Sequence, residues 1–248
     1  MAEVLPEPPR SLPSVPSGGS FARETGWLFL FALTMGIFEA AVVVYLNRLQ
    51  MLGELSFARD RGIAALLLKT EVLREAASLA MIASVAALTA RGFVSWLARA
   101  ALIFGVWDII YYVFLKILIG FPASPLTWDV LFLIPTAWLG PVLAPVLVSL
   151  ALIGGGLLFL RRERDGRPLR PAAWHWLLAV AGGAVVILSF ILDTPADFDG
   201  LHYPARFRWE VFLTGLVASL LALAAAARRH DTTVLQVEAS IPREASRI

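Results

Sequence analysis

The chain contains no cysteine, only three histidines and few charges: Asp, Glu, Lys and Arg together make up 16% of its 248 residues. Each shortage removes a class of chemistry. Without cysteine there is no disulfide, thiol nucleophile, thiolate metal site or iron–sulfur cluster. His175, His202 and His230 include no pair at the short helical spacing of zinc hydrolases or di-iron oxidases. Walker, GxGxxG and GxSxG motifs are all missing, and no cofactor is expected. A soluble domain carries about 25% charged residues, so the charge deficit argues against a soluble enzyme, a coiled coil or a disordered chain.

What replaces charge is apolar sequence: 58% of residues are hydrophobic and the mean hydropathy is +0.75. The apolar stretches are continuous and long, without the alternation that membrane barrels need, and therefore read as spanning helices. The expected fold is an all-α polytopic membrane protein with six transmembrane helices at 27–46, 71–90, 100–119, 141–160, 172–192 and 209–227. Residues 1–25, rich in Pro, Ser and Gly, read as a disordered cytoplasmic tail, 26–228 as the membrane domain and 229–248 as a cytoplasmic tail. Lys+Arg exceed Asp+Glu by two. Basic residues at helix ends are the positive-inside signal and do not imply nucleic acid.

The stretch 126–160 is too long for one straight span. An internal similarity bears on it: Gly36-Ile-Phe-Glu39 aligns with Gly105-Val-Trp-Asp108 at an offset of 69 residues, suggesting a two-helix repeat. That offset also lays the charged segment 59–70 over 128–139. Residues 126–139 are accordingly expected to form a short interfacial or re-entrant helix broken at Pro135, ahead of the fourth span. A seven-span alternative satisfies loop charge about as well. Six spans are preferred because they gather the membrane-depth polar groups on the extracytoplasmic side, with both termini cytoplasmic in the cell membrane.

Those groups are the candidate site. Glu39 and Asp108 lie deepest and occupy equivalent positions of the repeat; Tyr112 and Lys116 follow Asp108 at i+4 and i+8. These four are the expected catalytic residues, with the two acids exchanging protons. Glu71, Arg74, Glu75, Asp129, His202 and Glu210 are the expected binding residues. The alternative is mutual neutralisation that holds the bundle together. His175, between Trp174 and Trp176 beside the basic run Arg161–Arg170, reads as a cytoplasmic interface residue. The favoured function is a membrane-embedded acid/base enzyme acting on a lipid or isoprenoid. Its alternatives are a small proton-coupled permease and a subunit that pairs its acids with a membrane-protein partner. A carboxylate-only cation site at Glu39, Glu71 and Glu75 is compatible with any of the three.

Overall fold

The computed structural model describes residues 18–51, 61–195 and 203–240. The element order is α1 (Gly18–Met51), α2 (Arg61–Thr89), α3 (Phe93–Ile119), β1 (Trp128–Phe132), β2 (Trp138–Pro141), α4 (Leu143–Arg164), α5 (Ala173–Ile191) and α6 (Trp209–Ser240). All six helices are long and apolar enough to cross a bilayer. In each, at most 39% of the most apolar window is buried within the protein. The remainder, including Phe38, Tyr45, Leu73, Leu177 and Val180, points outward. So much exposed apolar surface is tolerable only in lipid. The chain is a multi-pass integral membrane protein.

Expected and observed spans nearly coincide. α1 starts at Gly18, inside the expected tail, and α6 continues to Ser240. The larger difference is at 126–139. In place of a short helix, the chain forms an antiparallel hairpin pairing Trp128 with Pro141, Asp129 with Gly140 and Val130 with Leu139. The expectation of an all-α fold is corrected accordingly. The reason is local: Trp-Asp-Val-Leu-Phe and Trp-Leu-Gly carry aromatic and β-branched side chains suited to strands, with Pro135 in the turn between them. Residues 61–70 are instead part of α2, so the proposed repeat does not extend over this pair of segments.

The aligned glycines have a packing role that explains their similar settings. A Cβ on Gly36 would lie 2.9 Å from the Trp107 carbonyl oxygen, and one on Gly105 would lie 2.6 Å from that of Ser149. Each bare backbone lets α3 approach a neighbour, α1 in the first case and α4 in the second. α3 is the central helix, packed against α1, α2 and α4, while α5 and α6 form a second closely packed pair.

One core joins α1, α2, α3 and α4 through Leu28, Ala32, Ile82, Leu102, Ile103 and Leu160. The second gathers Ala144, Val186, Phe190, Phe207 and Phe212 beneath the hairpin. Aromatic rings bridge them: Phe104 stacks on Phe132, Phe132 meets Trp138, and Trp138 stacks on Phe190. The hairpin thus wedges the two helix groups together at one end. Its turn is fastened by Thr194 at the end of α5, whose hydroxyl donates to the Ala137 carbonyl at 3.2 Å.

Candidate functional site

Alternating helix directions bring the end of α1, the start of α2, the end of α3 and the hairpin to one end of the bundle. The polar residues there are held in four groups. In the first, Arg74 bonds Glu39 of α1 and also donates from Nε to Glu71 Oε2 at 2.8 Å. In the second, Glu75, buried in α2, accepts the Leu133 backbone N–H at 2.9 Å and so holds the hairpin. In the third, the Tyr112 hydroxyl donates to Asp129 Oδ2 at 3.0 Å. Asp108 faces α4 and accepts from the Ser149 hydroxyl at 2.8 Å.

Several expected placements change. Glu39 and Asp108 share no partner: one faces α2 and the other α4. Tyr112 reaches Asp129, rather than Asp108 one turn below it. Lys116 does not stand over Asp108. Its ammonium donates to the carbonyls of Gly120 and Pro122 at 3.2 and 2.8 Å, capping the exposed end of α3. Glu210 is exposed and lies 3.6 Å from Arg206. His202 lies outside the described residues. The cation site at Glu39, Glu71 and Glu75 is not assembled, because Arg74 occupies the space between the first two. Among the described residues, no three His, Asp or Glu side chains gather as a metal would require.

Two residues that sequence reasoning passed over complete the arrangement. Tyr111 interacts electrostatically with Arg74 and Glu71 on one side and with Asp108 and Asp129 on the other, linking the groups. Its signal was its position at i+3 from Asp108, on the same helix face. Ser149 carried no signal beyond being a hydroxyl in an apolar span.

Asp129, on the hairpin and outside the spanning segments, has its pKa raised to about 6 by burial; its bonds from the Tyr112 hydroxyl and the Val130 N–H oppose the shift. A carboxyl so placed carries a proton at mildly acidic pH and releases it near neutrality. Among the described residues, this set brings five carboxyls, Glu39, Glu71, Glu75, Asp108 and Asp129, against one arginine that bonds any of them, Arg74.

The opposite end has a polar centre of different character. Arg99, buried in α3, bonds Glu24 of α1, donates to Glu163 Oε2 of α4 at 2.9 Å and to Thr89 Oγ1 of α2 at 3.0 Å, and also meets Ser95. It ties four helices together with its guanidinium donors in use. His175 is also at this end. It is 2% exposed, and therefore buried within the bundle rather than at the interface expected from its tryptophan neighbours.

Comparison with known proteins adds nothing to this picture: no protein-family model, curated protein or solved structure matches the chain.

Proposed function

We propose that this chain is a membrane-embedded enzyme that moves protons on a lipid or isoprenoid, using the carboxyl and phenol groups beneath the hairpin. The observation that carries this reading is the Tyr112–Asp129 hydrogen bond beside Asp108. Two carboxyls with different hydrogen-bond partners flank a pair of adjacent tyrosines, the asymmetry that lets one deliver a proton while the other receives it. In this scheme Asp129 and Asp108 are the acid and base, and Tyr111 and Tyr112 position them. The Glu39–Arg74–Glu71 group supplies fixed charge at the margin. Glu75 holds the hairpin over the site, and Lys116 has no part. An apolar substrate reaches such a site laterally, between helices. Against the assembly-subunit reading stands the fact that these carboxyls already have partners within the chain.

The hairpin end is assigned to the extracytoplasmic side, with both termini cytoplasmic, because the arginine-rich run 161–170 belongs to the other end. Cysteine at Ser124 should react with an impermeant thiol reagent from outside, and cysteine at Gly166 should not. The function is tested by comparing polar and isoprenoid lipids, by mass spectrometry, in membranes carrying the wild type, Asp108→Asn, Asp129→Asn and Lys116→Ala. A product present with the wild type and Lys116→Ala, and lost in both acid variants at equal protein level, is the expected result. Identical lipid profiles in all four, together with solute uptake driven by a pH gradient, would replace the enzyme with a carrier.

A further inference from the structure

A hydroxyl within an apolar helix commonly turns back on its own backbone and bonds the carbonyl three or four residues earlier. Thr34, Thr70, Ser189, Thr214 and Ser219 all do so. Ser149 of α4 does not. The corresponding carbonyls are those of Val146 and Pro145, yet its hydroxyl crosses to α3 and donates to Asp108 Oδ2 at 2.8 Å. Ser149 is 1% exposed, so bulk water does not compete for that donor.

The crossing depends on how closely the two helices approach. A Cβ on Gly105 would lie 2.6 Å from the Ser149 carbonyl oxygen and 2.9 Å from Ile153 Cγ1. Bare backbone therefore meets α4 one turn before Asp108, on the same face of α3, and a side chain as short as serine can reach the carboxyl. Among the described residues, this is the one hydrogen bond that Asp108 makes: Oδ2 is engaged and Oδ1 is not. The carboxyl also interacts electrostatically with Tyr111 and Tyr112, in the direction of Asp129. A carboxyl can turn about two side-chain bonds, and a donor fixed to one oxygen removes that freedom.

We infer that Ser149 is a positioning residue, which holds Asp108 by Oδ2 so that Oδ1 is the oxygen that exchanges a proton with the substrate. This rests on the proton-transfer reading, in which Asp108 is one member of the acid/base pair. An electron pair of Oδ1 takes the substrate's proton, and the same O–H bond breaks when the proton is returned. Ser149 loses and gains nothing in either step. Its hydroxyl donates to Oδ2 of the carboxylate and, once Oδ1 is protonated, to the carbonyl oxygen that Oδ2 has become.

The test pairs infrared spectroscopy of the purified full-length protein with lipid mass spectrometry of membranes that carry it. Spectra of protein containing isotope-labelled aspartate carboxyls, differenced against Asp108→Asn, isolate the Asp108 band whether or not the group is ionised. Ser149→Ala should shift that band and lower product per folded protein about tenfold, the worth of one hydrogen bond. Ser149→Thr, which keeps the hydroxyl, should return both towards the wild type. If the added methyl prevents folding, Ser149→Cys, with a weaker donor of nearly the same shape, should fall between serine and alanine in both readouts. An Asp108 band unmoved by Ser149→Ala would overturn the proposal. So would a shifted band with product formation unchanged, which would leave Ser149 as packing alone and the enzyme intact. Product that persists in Asp108→Asn would end the proton-transfer role of Asp108, and that of Ser149 with it, even where the band shift shows the bond to exist.

Discussion

The two polar centres of the bundle use arginine in opposite ways. At the end that holds His175, Arg99 is 4% exposed in its side chain and satisfied by two carboxylates and two hydroxyl-bearing residues drawn from four helices. At the hairpin end, Arg74 is 24% exposed and engages two acids, Glu39 and Glu71, while Glu75, Asp108 and Asp129 rely on an N–H or a hydroxyl. The first centre joins helices and has little to exchange. The second holds carboxyls in excess of cations, bound by neutral donors that remain serviceable whether or not the acid is ionised. A structural lock and a proton-handling site can be built from the same residue types; the ratio of acids to bases and the kind of donor distinguish them.

The sharpest way to break this contrast is to remove each arginine. Arg99→Ala strands Glu24 and Glu163, whose side chains are largely shielded, and should destabilise the protein by about 3–5 kcal/mol, the penalty for orphaning one side of a buried ion pair. Arg74→Gln retains donors for Glu39 and Glu71 and sits in a wetter place, so a loss of about 1–3 kcal/mol is expected. Unfolding midpoints in mixed detergent would measure both. Equal losses would mean that the hairpin end is as much a lock as the other.

The sequence made the helices legible and the arginine lock illegible, for one reason. Spans follow from local composition, which is why α3, α4 and α5 begin and end within a few residues of their expected limits except for the extra first turns of α3. The lock depends on Arg99 meeting Glu24 and Glu163 across separations of 75 and 64 residues, and Glu24 falls in a stretch whose composition resembles a tail. Arg99 therefore read as one more helix-end charge. The hairpin was hidden differently: Leu126–Leu139 is equally apolar as helix or strand, and the 69-residue similarity carried the choice towards a helix. Glu39, Glu71, Arg74, Glu75, Asp108, Tyr112 and Asp129 were nevertheless legible as one end of the bundle, because charge at membrane depth is rare enough to mark itself. Their pairing was not, since each partner sits on another element.

A pH titration sharpens the comparison next. Asp129 titrates near 6 when folded and near 3.8 when unfolded. Between those values the folded protein binds the extra proton, so stability is fully present below about pH 4 and is lost as pH rises through 6. The difference between those two values corresponds to about 3 kcal/mol. Asp129→Asn should flatten this slope in melting curves from pH 4 to 7. A slope that survives in Asp129→Asn would remove this carboxyl from the proton-handling set.

The smallest effect concerns Lys116, which the sequence places at i+8 from Asp108 and the structure turns to other partners. Among the described residues, its ammonium meets the carbonyls of Gly120 and Pro122 at the exposed end of α3. Cations there gain from the orphan carbonyls and the helix dipole, worth about 0.3–1 kcal/mol. Lys116→Ala should cost no more than that in the unfolding midpoint, and Lys116→Arg should recover it, because another cation can serve the same carbonyls. If Asp108 depended on this amine, the alanine variant would behave like Asp108→Asn in every assay of function while the arginine variant stayed active. The expected result is instead that lipid profiles with Lys116→Ala match the wild type. That would restrict the working groups to those that the hairpin covers.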